Sequence, residues 1–292
     1  MKPLQALFAN RRLLTTLAAG AAFTYVEHEN YQQTKPFYQT KPFFNPDIQL
    51  KAKHTNMIFT QAYRDMGYNG PIHIKYNDEG HTGTFSAFDK NYKYATFVDI
   101  DKELLKNPNY AQLYAVAGRE ATHTTSHHPE ILRFMTSLSI FLPLIFITTP
   151  KVLYFAAMIV GTNLARAQVA IMAEKDADIT SAKTLGTAAE LISYLGEDPK
   201  IPYQNIIREY KIQFCFGEHE ITLDVNRSTD ALIRGIFGDT KPHVVTRVDY
   251  LKLLYKSAGR TPLLFKSEAW HTILSERQEE TTLNDEPKSL AP

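Results

Sequence analysis

Cysteine is nearly missing from this 292-residue chain, where Cys215 stands alone. A single thiol excludes an internal disulfide framework and removes any thiolate cluster from the candidate metal ligands, leaving the redox compartment unread. Surplus charge is missing too. Lys and Arg number 32 against 31 Asp and Glu, a formal net charge of +1. So balanced a chain lacks the basic excess that draws proteins to nucleic acid, which is excluded as a partner class. The negative mean hydropathy restricts any membrane-facing part to a local segment. The length allows one or two domains and a substantial core.

Acidic residues are absent before Glu27. Residues 1–30 carry Lys2, Arg11 and Arg12 and an apolar run over 13–26. That pattern fits a secretory signal peptide, with the small residues 18–22 as cleavage site, or a short uncleaved membrane anchor. The start also permits an organelle presequence, and a buried helix is the plain alternative. Residues 31–46 hold Q-T-K-P-F twice, with proline and no apolar period, and read as a linker. Residues 47–280 read as one domain, and the polar stretch 281–292 as a disordered tail.

Within that domain, the spacing of Ile48, Met57, Ile58, Ala62 and Met66 predicts a helix over 47–66 with Asp47 as N-cap. Alternation at Ile72, Ile74 and Tyr76, turn residues over 77–83, and aromatic and β-branched residues over 92–100 predict strands. Residues 206–216 and 232–237 read as helical or mixed. The apolar stretch 131–165 divides near Pro150 into two segments, the first just long enough to cross a hydrocarbon core of about 30 Å. It predicts a helical hairpin, either in a membrane or in the protein core.

Between the strands and the hairpin lies Y-A-V-A-G-R-E-A-T-H-T-T-S-H-H, residues 114–128. On a helix, Glu120, His123 and His127 fall at spacings of three and four and share one face. Imidazole and carboxylate one turn apart can converge on a zinc ion, and a nearby Glu can take a proton from a metal-bound water. A solvated polar helix face is the bland alternative. A second pair one turn apart, Glu174 and Asp178, would add a carboxylate ligand and a carboxylate that orients an imidazole.

Arg119-Glu120-x-x-His123 with His128, followed by the apolar stretch and then Glu174-x-x-Ala177-Asp178, resembles the membrane-associated zinc metallopeptidases that include the HtpX heat-shock protease and the CAAX prenyl proteases. Ser86-Ala87-Phe88 and Glu103-Leu104-Leu105 are similar to segments that precede the metal helix there. His271 and Arg277 match a further family pattern that lacks its proline here. The resemblance implies an α+β, mostly helical, zincin-like domain with a small sheet and the apolar hairpin inserted. It further implies Glu120 as general base, His123 and Glu174 as ligands of one zinc ion, Asp178 as support for the first His, and His271 and Arg277 lining the cleft.

Arg119 stands where the first zinc His belongs. A guanidinium has no free lone pair and stays protonated, so it cannot coordinate zinc. An Arg119–Asp178 pair, shared with Glu174, would replace the ion by a fixed organic cation. Three outcomes remain: a protease-like protein, impaired or inactive, that acts on damaged or membrane protein substrates and holds no cofactor; an active zinc endopeptidase using His123, His127 and Glu174; and a membrane-associated binding protein that is no enzyme. The implied partners are protein or peptide clients and a membrane. A retained N-terminal anchor would put the domain on the non-cytoplasmic side.

Overall fold

A computed structural model describes most residues between 31 and 146, then 152–199, two strands within 210–225 and a helix at 244–258, together with isolated positions before 31. The described fold is α+β and mostly helical, with a small three-stranded sheet. Most of 1–30, the segment 147–151, the stretch 232–237, the tail, His271 and Arg277 lie outside the described residues.

Helix α1, Pro46–Asp65, starts at Asn45, whose side chain accepts from the Asp47 amide at 2.9 Å. The cap is therefore Asn45 and not Asp47. Pro46 follows it in the first turn, where proline's missing N–H has no helical partner to lose. Asp47 instead pairs with Lys51 one turn on, at 2.8 Å.

Strands β1 (Ile72–Asn77), β2 (Gly83–Phe88) and β3 (Tyr94–Asp101) form a sheet in the order β1-β3-β2, with β1 parallel and β2 antiparallel to β3. Side chains alternate between its two faces. Ile72, Ile74, Val98 and Ile100 pack on one face with Ile58, Phe59, Ala62 and Tyr63 of α1 and with Leu113, Val116 and Ala117.

Phe85, Ala87, Ala95 and Phe97 cluster on the other, against Phe37. Phe37 belongs to a 3-10 turn, Lys35–Tyr38, inside the stretch that reads as linker, and its ring meets Phe85 and Phe97 edge-on with centroids 5.6 and 5.1 Å away. Phe43, in the second Q-T-K-P-F copy, meets Tyr76 edge-on at 5.5 Å. The repeat thus contributes to the core what its composition hides. Phe37→Ala should cost about 3 kcal/mol, read as a lower denaturant midpoint at unchanged slope; a cost below about 0.5 kcal/mol would make the segment a mere tether.

After the short α2 (Glu103–Lys106), helix α3 runs Tyr110–Thr125, started by Asn109, whose side chain accepts from the Gln112 amide at 3.3 Å. Helix α4 follows at once, His128–Phe146, with Pro129 in its first turn. The break between them is made by His127, whose φ of 56° is left-handed. A β-carbon is unfavourable there and glycine is not. His127→Gly should therefore raise stability by about 0.5–1 kcal/mol in thermal unfolding; destabilisation would show that the imidazole itself is needed.

Helix α5, Val152–Leu185, returns against α4, and among the described residues no helix is long and apolar enough to cross a membrane. Gly186, at φ 70°, separates α5 from α6, Ala188–Tyr194. The segment expected as helical or mixed over 206–216 contains a strand, β4 (Tyr210–Phe216), paired antiparallel with β5 (His219–Val225). Helix α7, Val244–Ala258, packs on α5 and α6, with Val248 and Leu251 buried beside Leu191 and Ile192.

Candidate functional site

Helices α3, α5 and α7 converge on one buried ionic cluster. Arg119, on α3, is buried, and each of its three guanidinium nitrogens meets a carboxylate. Nε donates to Asp178 Oδ1 at 3.0 Å, Nη1 to Glu120 Oε1 and Nη2 to Glu174 Oε2. Close approach of the helices permits this. Leu185, at the end of α5, lies directly over Gly118, the residue beside Arg119.

Burial works against the Arg119 charge, but the carboxylates of Glu120, Glu174 and Asp178 outweigh it and hold the group above the usual arginine range. Asp178 is the centre of the cluster, with none of its side chain exposed. Arg247 of α7 donates to it twice, Nε to Oδ2 and Nη2 to Oδ1, both at 2.8 Å, and the Tyr250 hydroxyl donates to Oδ2. Burial pushes the Asp178 carboxyl up, yet Arg247, Arg119 and Tyr250 hold it below the ordinary carboxylate range. Tyr250 is pushed the other way, first by burial and then by Asp178.

Arg247 and Tyr250 are the members that sequence reasoning missed. They lie one turn apart on α7 in R-V-D-Y, an ordinary helical spacing with no motif in it. Only the tertiary return of α7 reveals them.

The histidines arrange themselves differently from the helical register. His123 keeps its place, with Nε2 3.7 Å from Glu174 Oε1. His127 does not share its face, because α3 ends at Thr125 and the left-handed residue turns the chain. Its side chain is 72% exposed and its nearest acid is Glu130, at 4.0 Å. The set His123, His127 and Glu174 is thus not assembled. His128 takes the inward place instead, buried, with Nδ1 3.1 Å from His123 Nδ1 and Nε2 3.3 Å from Asp176 Oδ2. Burial lowers the His128 pKa, and the neighbouring Asp176 and Glu174 only partly offset it.

Zinc does not fit this arrangement. Arg119 puts a cation against Glu174 and Glu120, the residues expected from the resemblance as zinc ligand and base, and among the described residues no three His, Cys, Asp or Glu side chains form a group able to hold a metal. What the cluster does chemically is to fix charge: three carboxylates and two guanidinium groups lock three helices with charge-assisted hydrogen bonds. Beside it Tyr63, fully buried, donates to Thr84 Oγ1 at 3.1 Å and is held un-ionised, chiefly by burial. That bond ties α1 to the sheet next to Glu120. No family model, no curated protein and no solved structure matches this chain.

Proposed function

We propose that this chain is a metallopeptidase-like protein of the HtpX type whose zinc position is taken by its own Arg119, and that it holds protein or peptide clients at a membrane without cutting them. The observation that carries the reading is the contact of one guanidinium with Glu120, Glu174 and Asp178 at once. Those residues correspond to the base, the carboxylate ligand and the supporting acid of the zincin-like pattern. With Arg119 among them, the cation that holds the three carboxylates together is covalent and permanent. Glu120 then has no metal-bound water from which to take a proton.

Membrane attachment draws on the α4–α5 hairpin, where residues 134–150 carry no charged side chain. The clients suited to such a protein are damaged or membrane proteins. The test is elemental mass spectrometry of the purified, detergent-solubilised chain beside a hydrolysis assay on unfolded polypeptide. No zinc above background and no cleavage is the expected result. Equimolar zinc with cleavage would overturn the reading and restore a protease.

A further inference from the structure

The uncharged part of the α4–α5 pair ends at the same level on both helices. Residues 134–150 on one side of Lys151 and 152–165 on the other hold no charged side chain, and the stretches are closed by Arg133 and Arg166. Arg133 lies thirteen residues before the end of α4 and Arg166 fourteen after the start of α5. At 1.5 Å per residue each stands about 20 Å from the near end of its helix. Two cations that close an uncharged helical pair at one height are the pattern of a lipid headgroup boundary, where arginine meets phosphate.

One end of the sheet lies at that height. Arg133 Nη2 donates to Ser86 O, near the end of β2, and Glu130 of the same helix accepts from the hydroxyl of Tyr94, at the start of β3. Phe88 and Tyr94 flank the β2–β3 turn and are exposed, with ring centroids 5.6 Å apart, and Phe134, next to Arg133, is exposed too. Within the turn Lys90 and Lys93 are exposed. The acid of the turn faces inward: Asp89 is buried, and its Oδ1 accepts from the amides of Asn91 and Lys93, both at 2.8 Å. With Glu130 engaged by Tyr94, the charge this end offers outward is positive. The chain that follows the apolar run 13–26 arrives here as well, where the Lys90 amide donates to the Tyr38 hydroxyl at 3.1 Å.

We propose that this end of the sheet, with Phe88, Tyr94 and Phe134 as apolar contacts and Lys90 and Lys93 as charged ones, is a docking surface for a membrane that contains acidic phospholipids. The inference rests on the membrane attachment proposed above and adds a second contact outside the helical pair. Aromatic rings beside lysines suit the boundary between acyl chains and headgroups, the rings entering its apolar edge and the ammonium groups meeting phosphate. The stretch 13–26 and the uncharged helical pair both reach the domain at this end, which favours lipid over a protein partner. Asp101 closes the far end of β3, about 23 Å from Tyr94. Tyr194 of α6 lies near Asp101 and Arg119, so a bilayer seated on Phe88 and Tyr94 leaves the ionic cluster clear of its surface.

The experiment reads the quenching of tryptophan by lipid. Phe88→Trp is placed in a Trp270→Phe background, which leaves the probe as the only indole. The full chain is reconstituted in phosphatidylcholine–phosphatidylglycerol vesicles whose acyl chains are brominated near the headgroup. Emission should fall by about half against unbrominated vesicles, as for a ring at the membrane interface. Tyr194→Trp in the same background should be unaffected. Adding Lys90→Glu and Lys93→Glu, or using phosphatidylcholine alone, should remove most of the quenching, as each lysine at an acidic surface is worth about a fivefold change in contact. Quenching that persists through both changes would overturn acidic lipid as the occupant. An unquenched Phe88→Trp in vesicles that retain the chain, or equal quenching of both probes, would overturn the docking surface. A chain that no vesicle retains sinks the membrane reading beneath it as well. Should Phe88→Trp fail to fold, the native chain carries the test: Lys90 and Lys93 should be acetylated several-fold more slowly in acidic vesicles than in phosphatidylcholine ones, while Lys102, at the far end of β3, should not change. Equal rates at Lys90 and Lys93 in the two lipids count against the surface.

Discussion

Asp178→Ala should lower the stability of the protein by about 3–5 kcal/mol, the largest loss expected from any single substitution discussed here. The reason is what it leaves behind. Asp178 accepts from Arg119, from Arg247 twice and from Tyr250, and its removal strands the buried Arg247 guanidinium and a buried phenol and takes one of three carboxylates from Arg119. Arg119 would keep Glu120 and Glu174, so the Arg247 end of the cluster should suffer most. Urea unfolding followed by far-UV circular dichroism measures the effect, and Asp178→Asn, which keeps the volume and loses the charge, separates charge from packing. A loss below about 1 kcal/mol would mean that the cluster is an ornament of the fold.

The same residue sets an acid limb. Its carboxyl is held below its ordinary value of 3.8 in the folded protein, so the unfolded chain binds the proton first. The Asp178 contribution is therefore complete above about pH 4 and lost as the pH falls through the folded value. In Asp178→Ala that part of the acid limb should be gone.

Arg119→His should change the metal content from background to about one zinc per chain, as a histidine four residues before His123 with a carboxylate opposite them is a zinc ligand set. The substitution does two things at once. It supplies a lone pair at the missing position, and it releases Glu174 and Glu120 from the guanidinium that now neutralises them. Asp178 would not be orphaned, because Arg247 and Tyr250 still donate to it.

His123→Ala in that background should return zinc to background. His127→Gly should leave it bound, since the exposed His127 takes no part in the set. Failure of Arg119→His to bind zinc would refute the correspondence of positions 119, 123 and 174 with a metal site. Zinc in the native chain would refute the role assigned to Arg119.

How much of this was legible depended on the distance over which each signal acts. Helical spacing is local, so Arg119, Glu120 and His123 could be put on one helix, and Glu174 and Asp178 on another, from their separations alone. It was the resemblance, and not the spacing, that set Asp178 opposite Arg119. Strand β1 was readable from alternation and β3 from its aromatic and β-branched residues, and the strand at 210–216 carried an alternation of its own in Y-K-I-Q-F-C-F, where apolar residues recur at every second position.

Other features were beyond such rules. His127 left the helical face because one residue adopts a left-handed conformation, and histidine, unlike glycine, does not announce it. Nothing in the neighbourhood of Arg247 distinguishes it from any surface cation. The buried Phe37 sits among polar and proline residues that argue for a tether, and only the aromatic face of the sheet explains its burial.

The two hydrogen bonds between Arg247 and Asp178 join residues 69 positions apart and so act as a non-covalent crosslink around a large loop. Helix α7 is therefore held to α5 by a buried ionic contact as well as by the packing of Val248 and Leu251 beside Leu191 and Ile192, so whatever breaks the cluster also loosens the C-terminal end of the described fold.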